Sequence, residues 1–411
     1  MNRRVTMTLV LPALLWAAAV PTASAQYTLH TLATFDTANG ASPTAGLIAD
    51  PGGNLYGTTQ SGGTTGNGTV FELAAGTHAL STLVSFDGAN GTTPFLGRLL
   101  ADASGNLFGT AAYGGANNQG TVFALAAGTH ALTTLTTFDY TNGGGPSAGL
   151  IADGGGNLYS TTQVGGTNGK GTVFEVAAGS HALTTLATFN GTNGAFPYAG
   201  LIADASGNLF GTTNSGGTNN QGTVYELTAG THALSTLATF NGTNGAFPIA
   251  GLIADASGNL YGTTDQGGAN SAGTVFEIAA GTHALITLAS LDTTNGANPW
   301  AGLFADASGN LYGTTRHGGA NDDGTVFKVA AGTHALSTLA TFDGTNGHLP
   351  VADLIADASG NLYGTTAEGG ANDQGTVFEL VAVPEPSGIA LALSGVWAVG
   401  AMTLRRRRRG T

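Results

Sequence analysis

The sequence has 411 residues, of which 68 are glycine, none is cysteine and 9% are charged. Without cysteine, a disulfide-held fold is excluded, so packing has to hold the chain together. Residues 27–380 carry 23 acidic and four basic residues, a net charge of −19. This charge argues against nucleic acid and anionic lipid headgroups as partners. The four bases are Arg98, Lys170, Arg316 and Lys328.

Residues 1–25 have the pattern of a secretory signal peptide. Arg3 and Arg4 precede an apolar run from Met7 to Val20, and the small residues "ASA" follow at 23–25. This order is typical of a segment that a signal peptidase cleaves, here before Gln26. The sequence therefore predicts export.

A repeated element, "GTVF", sets the organisation of the rest of the chain. Successive copies are spaced by 52 residues once and by 51 residues five times. A period near 50 residues is typical of a propeller blade or of another repeat array. The threonines of this element are Thr69, Thr121, Thr172, Thr223, Thr274, Thr325 and Thr376.

Each repeat contains four short runs that read as β-strands. In the unit that begins at Gly251 they are strand A (251–255), strand B (259–264), strand C (273–278) and strand D (285–291). Glycine, asparagine and serine clusters separate the runs, as expected for hairpin connections. The runs are apolar on both faces, which suits a sheet packed between two neighbours, as in a propeller blade.

The strand count predicts that the ends of the chain meet. A first copy of strand D, residues 27–35, precedes every strand A, and the last unit ends at strand C, residues 375–380. The N-terminal strand can therefore complete the last blade and leave no open edge. We expect an all-β fold over residues 26–380, a seven-bladed β-propeller of four-stranded blades. Its B–C and D–A loops would form one face, the loop face, and its A–B and C–D turns the other, the turn face.

The repeats, with "NLYGTT…GG…GTVFEL" in each unit, resemble the GloVer tandem repeats of bacterial proteins that carry interchangeable surface anchors. The resemblance extends over most of the chain. It implies a surface-anchored repeat protein and no established activity.

The stretch "DASGNLYGTT", residues 255–264, recurs in every unit and could be a structural turn or a calcium loop. Aspartate, asparagine and glycine are the residues that tight turns require. A calcium loop needs several oxygen ligands, and the sequence places no second carboxylate beside this aspartate. We therefore expect a structural turn. The histidine of the repeated "THAL" segment is expected to be a turn residue too, because equivalent residues of different blades cannot converge on one metal.

Departures from the repeat mark the candidate ligand-binding residues, which are predicted to lie together on the loop face of blades six and seven. An aromatic ring with Arg, His and Asp side chains suits a sugar, and two carboxylates with a histidine suit a metal such as calcium. The alternative is sequence drift in solvated loops. No cofactor is predicted, and no catalytic motif is found. The candidates are Trp300, Arg316, His317, Asp322, Asp323, His348 and Asp353.

Residues 381–411 read as a sorting tail. Pro384, Glu385 and Pro386 lie in a motif at 383–387, an apolar span follows at 388–404, and five arginines occupy 405–409. A span of this length is at the lower limit for crossing a bilayer, and the arginines would stop its transfer. The three features in this order resemble the PEP-CTERM signal. The resemblance implies an exosortase-type enzyme as partner, transient insertion through 388–404, and delivery to the surface of a Gram-negative bacterium, where exopolysaccharide is often made, with the tail removed.

Together these observations predict an exported, surface-sorted, non-enzymatic protein of the envelope or extracellular matrix that binds or scaffolds polysaccharide. A glycan-acting hydrolase or lyase is the main alternative, and it would need paired acids, for which Asp322, Asp323 and Asp353 are the candidates. An architectural protein without a ligand is the third possibility.

Overall fold

The computed structural model describes residues 26–383, which form seven four-stranded antiparallel sheets. The predicted signal peptide, 1–25, and the sorting-tail residues from Pro384 onward lie outside the described residues. Residues 26–383 include no helix, and so none that could span a membrane.

Each blade has the strand order A-B-C-D, with the seven A strands around one central cavity. The A strands are Ile48–Ala49, Leu100–Ala101, Ile151–Ala152, Ile202–Ala203, Ile253–Ala254, Phe304–Ala305 and Ile355–Ala356. The B strands are Leu55–Thr59, Leu107–Ala111, Leu158–Thr162, Leu209–Thr213, Leu260–Thr264, Leu311–Thr315 and Leu362–Thr366. The C strands are Thr69–Leu73, Thr121–Leu125, Thr172–Val176, Thr223–Leu227, Thr274–Ile278, Thr325–Val329 and Thr376–Val383. The D strands are Leu80–Ser85, Leu132–Thr137, Leu183–Thr188, Leu234–Thr239, Leu285–Ser290 and Leu336–Thr341, with Gln26–Thr34 as the seventh.

Strand A is shorter than predicted. In blade five it pairs with strand B over Ile253 and Ala254 rather than over residues 251–255. Two residues before strand A, the chain lies close to the backbone of the preceding blade: a Cβ on Gly149 would lie 3.1 Å from the carbonyl oxygen of Arg98, and one on Gly200 would lie 3.2 Å from that of Gly149.

The N-terminal strand closes the ring, as the sequence predicts. Gln26–Thr34 lies beside Thr376–Val383 as the outermost strand of blade seven. Just beyond it, the Phe35 amide donates to the carbonyl oxygen of Gly375 at 3.0 Å, and the Asn372 side chain donates to the carbonyl oxygen of Phe35 at 3.0 Å. Both ends of the described chain therefore belong to one sheet.

The hydrophobic core lies between blades rather than within them. Val70 and Phe86 of blade one pack against Leu99, Leu107 and Phe123 of blade two. Phe86 meets Phe123 edge to face with ring centroids 5.0 Å apart, and pairs of the same kind recur between other blades. Because burying one phenylalanine stabilises a fold by about 1.5–3 kcal/mol, a lone repeat would lose most of its core.

Threonine hydroxyls of strand B add hydrogen bonds between blades. Thr161 of blade three donates to the carbonyl oxygen of Ala199 of blade four at 2.9 Å, just before the next strand A. The same bond links Thr110 to Ala148, Thr212 to Ala250, Thr263 to Ala301 and Thr314 to Ala352, and Thr365 donates to Pro43. These bonds hold the strand A segments of six blades, all except blade two, against the preceding blade.

The repeated "DASGNLYGTT" stretch is a structural turn. Asp255 accepts the backbone amides of Ser257 and Asn259 and the side-chain amide of Asn259, at 2.8–2.9 Å. Asn259 in turn accepts the backbone amide of Ala280 in the C–D turn at 2.8 Å. Glycine at position 262 leaves room for the ring of Phe276, because a Cβ there would lie 2.6 Å from this ring. The aspartate and asparagine therefore hold the two turns of the turn face together.

Candidate functional site

The loop face is built from pairs of loops joined within each blade. In blade six, Ala297 of the D–A loop forms a two-way backbone bridge with His317 of the B–C loop, and His348 and Glu368 form the same bridge in blade seven. Side chains from the two loops of a blade therefore lie next to one another. Within this arrangement the structure separates the seven predicted residues into distinct groups.

Trp300, at the inner end of its D–A loop, is held by residues of three blades. Its indole Nε1 donates to Oδ1 of Asp265 of blade five at 2.8 Å, and the Arg316 guanidinium lies over its ring, 4.3 Å from the centroid. The ring also packs against Leu349 and Val351 of blade seven. Trp300 is therefore held between blades, and the face of its indole ring that Arg316 covers is not open for a sugar to stack on.

Asp323, His348 and Glu368 form a second group, at the junction of blades six and seven. His348 Nε2 lies 3.6 Å from Asp323 Oδ1, and His348 Nδ1 lies 3.4 Å from Glu368 Oε2. All three side chains are partly exposed, so they can exchange these contacts for contacts with a ligand. The group offers hydrogen-bond donors and acceptors to a polyhydroxylated molecule.

Asp322, although adjacent to Asp323, serves its own loop. Its Oδ1 accepts the Gly318 amide at 2.8 Å, and its backbone has φ 64°. Asn118, Asn220 and Asp373 make the same bond at the equivalent positions of other blades. Asp322 is thus a loop-closing residue, and the expectation that it pairs with Asp323 in one site is not supported by its geometry.

Asp353 lies apart from both groups, in the central cavity. Its Oδ1 accepts the backbone amide of Gly302 at 2.6 Å. The cavity has a volume of about 700 Å³ and is lined by the segments that lead into the A strands. Trp300 reaches this cavity as well, whereas His317 contributes backbone hydrogen bonds to Ala297. The predicted residues are therefore spread over several places rather than gathered in one.

Sequence reasoning missed several residues of these groups. Asp265 and Arg316 occupy the same repeat position in consecutive blades, so their meeting at Trp300 could have been inferred from the alignment of units. Tyr198 also lines the cavity mouth, beside Tyr113 of blade two. Burial and the proximity of Tyr113 raise the pKa of Tyr198, and its hydrogen bond with Gln163 opposes this. Tyr113, in the B–C loop of blade two, is 51% exposed, so the loop face carries an open aromatic ring.

The turn face does contain a second carboxylate, contrary to the sequence-based expectation. The Tyr56 hydroxyl lies 3.2 Å from Asp50 Oδ2 and 3.3 Å from Glu72 Oε1, because strand pairing sets Tyr56 opposite Glu72. Burial and these two carboxylates raise the pKa of Tyr56 to about 12. The tyrosine hydroxyl thus stands between the carboxylates, an arrangement that serves the turn rather than a metal.

No group of three or more His, Asp or Glu side chains within residues 26–383 is arranged to hold a metal ion. The "THAL" histidines have φ between 52° and 54° and close the C–D turns through their backbone amides, as His78 does with the carbonyl oxygen of Ala74. These residues are His78, His130, His181, His232, His283 and His334.

Comparison with known protein families matches the Gloeobacter/Verrucomicrobia repeat to residues 20–155, 99–263 and 146–378. The chain belongs to this family. The match runs through all seven blades, so the Gloeobacter/Verrucomicrobia repeat corresponds to the propeller described above. No curated protein matches the chain.

Solved structures support the propeller fold of this Gloeobacter/Verrucomicrobia repeat protein at low identity. The extracellular domain of a protein described as a hybrid two-component system of B. thetaiotaomicron matches at 11% identity and TM-score 0.58, over 86% of this chain and 40% of that chain. A second such extracellular domain matches at 12% identity and TM-score 0.55, over 89% and 42%. A protein described as a 6-phosphogluconolactonase of Bacteroides fragilis matches at 19% identity and TM-score 0.51, over 76% and 86%.

Proposed function

We propose that this protein is an exported, non-enzymatic component of the bacterial envelope or extracellular matrix, and that its loop face binds polysaccharide. The proposal rests chiefly on one observation. The residues that depart from the repeat, among them Trp300, Tyr113 and His348, lie on the loop face or around the cavity mouth, whereas the turn face repeats the same hydrogen bonds from blade to blade. Varied loops on a rigid scaffold are where binding sites are usually found.

The chemistry of these departures suits a glycan. Tyr113 offers an open ring of the kind that packs on the apolar face of a sugar. Asp323, His348 and Glu368 offer donors and acceptors for sugar hydroxyls at the rim.

Export and surface sorting belong to the same proposal. Residues 1–25 read as a signal peptide, and residues 381–411 resemble a PEP-CTERM tail that an exosortase-type enzyme would process at the surface of a Gram-negative bacterium. The matched propellers of B. thetaiotaomicron are described as extracellular domains, which agrees with this location.

Binding is favoured over glycan hydrolysis by the positions of the acids. Asp322 bonds within its own loop, Asp323 contacts His348, and Asp353 bonds Gly302 in the central cavity. A hydrolase needs two carboxylates facing one glycosidic bond. These three acids serve three different places, so no two of them form a pair. Asp323 and Glu368, the two carboxylates that do belong to one group, both contact His348, which lies between them.

The test is a glycan-array screen of residues 26–382, run with calcium and with a chelator. Specific binding of a polysaccharide fragment is expected, and it should weaken in a Tyr113→Ser variant, because Ser61 and Ser215 occupy the equivalent positions of blades one and four. A blank array in both conditions would refute the proposal in favour of an architectural role. Release of reducing ends from a bound glycan would instead establish the enzyme alternative.

A further inference from the structure

One position in each blade, two residues before strand A, lines the central cavity, and two blades carry a charged residue there. In five blades the residue is glycine, whereas blade two has Arg98 and blade seven has Asp353. Of the residues from 26 to 383 that line the cavity, these two are the charged ones. The five glycines are Gly46, Gly149, Gly200, Gly251 and Gly302.

Arg98 and Asp353 face the same space. Gly46 of blade one lies between their blades, and a Cβ placed on it would be 3.1 Å from Asp353 Cβ and 3.6 Å from Arg98 Cδ. The two side chains nevertheless form no ion pair with each other, since the only close contacts between basic and acidic side chains within residues 26–383 are the two made by His348. Arg98 is exposed to the cavity, so its guanidinium donors are available to a ligand.

The segment that carries Arg98 breaks the repeat and disrupts a buried hydrogen bond. Blade two has one residue more than the other blades before strand A, at Phe95–Leu96–Gly97–Arg98. The threonine that should bond this segment from blade one is Thr58. Its hydroxyl is buried and has no partner within residues 26–383, whereas the equivalent hydroxyls of the other blades each reach a carbonyl of the next blade. A departure from the repeat that loses a hydrogen bond, with no stabilising contact in exchange, is typical of a functional position.

We propose that the central cavity binds a small hydroxy-carboxylate, and specifically the uronic acid unit of an acidic saccharide. The planar guanidinium of Arg98 matches a carboxylate with two parallel hydrogen bonds. Asp353 Oδ1 is held by Gly302, which leaves Oδ2 to accept a sugar hydroxyl. A volume of about 700 Å³ is within the range of small-molecule sites. This site is distinct from the loop-face groups, so neither proposal requires the other.

The experiment is calorimetric titration of residues 26–383 with glucuronate, with glucose and acetate as controls. Arg98→Gly and Asp353→Gly restore the residue found in five other blades, so both variants should fold. Lys170→Gln, which copies Gln221 of blade four and removes a positive charge outside the cavity, is the matched control. We expect glucuronate to bind, glucose to bind at least about tenfold more weakly, and Arg98→Gly to lose about tenfold or more in affinity, with Lys170→Gln unchanged.

The proposal is overturned if glucuronate at millimolar concentration does not bind, or if it binds Arg98→Gly as tightly as the unmodified protein. Acetate binding as tightly as glucuronate would refute the hydroxyl contact assigned to Asp353. A negative titration with glucuronate would not contradict a positive glycan array, and a blank array would not contradict glucuronate binding. The two proposals can therefore be refuted independently.

Discussion

Tyr225 is expected to make the interior of blade four less stable than the interiors of the neighbouring blades. The six equivalent positions hold phenylalanine, and Tyr225 keeps their packing, with its ring 5.0 Å from that of Phe189 at an angle of 66°. Its side chain is fully buried, and its hydroxyl has no hydrogen-bond partner within residues 26–383. The hydroxyl fits because position 211 is glycine, where a Cβ would lie 2.5 Å from it.

Tyr225→Phe should therefore stabilise the protein. An unsatisfied buried hydroxyl costs about 1–3 kcal/mol, and the ring contacts are retained, so we expect a gain of about 1–2 kcal/mol in the free energy of unfolding. Urea unfolding at neutral pH should show a higher midpoint with an unchanged slope. The matched control is Phe276→Tyr in blade five, where Gly262 provides the same space, and it should lose a similar amount. A lower midpoint for Tyr225→Phe, or no effect of Phe276→Tyr, would refute the reasoning.

Three further predictions concern Trp300, the turns and the closure of the ring. Trp300→Phe keeps the ring but removes the donor to buried Asp265, so we expect a loss of about 1–2 kcal/mol in urea unfolding; no loss would show that the indole N–H is dispensable. Burial raises the pKa of Asp50, but its hydrogen bonds outweigh burial and lower the pKa overall, so its contribution to the free energy of unfolding should disappear as pH falls below about 4. The pKa of Tyr56 is raised to about 12, so its contribution to the free energy of unfolding should disappear as pH rises from about 10 to about 12. A flat stability profile across both ranges would contradict this assignment. Removing residues 26–35 exposes the edge of strand Thr376–Val383, so the truncated variant should self-associate or lose its cooperative melting transition. A truncated variant that stays monomeric and melts as the full ring does would contradict closure of the ring by the N-terminal strand.

The fold could be predicted from the sequence because the same strand pattern recurs in seven units, so each unit confirms the strands assigned in the others. Seven copies of each strand fixed the blade count, and the displaced copy of strand D at residues 27–35 indicated how the ring closes. The length of strand A could not be predicted, because it depends on how closely neighbouring backbones approach around the cavity.

The candidate site was harder to predict, because residues that are neighbours in the folded ring can be far apart in the sequence, and sequence neighbours can have different partners. Asp265 and Trp300 are 35 residues apart and meet only through the packing of adjacent blades. Asp322 and Asp323 are neighbours in sequence, yet one closes a loop and the other contacts His348. Arg98 was visible in the sequence as one of four bases, but its position near Asp353, on the other side of Gly46, follows only from the structure of the cavity.

The central claim is that the departures from the repeat, and not the repeat itself, carry binding. It is tested most directly by a regularised variant in which these departures are replaced by residues of other blades: Tyr113→Ser, Asp323→Gln, His348→Ala, Arg98→Gly and Asp353→Gly. Each replacement copies a residue already present at the equivalent position, so the ring should still melt cooperatively. The account predicts that this variant folds and loses glycan and glucuronate binding together. A folded variant that still binds both as tightly as the unmodified protein would contradict it.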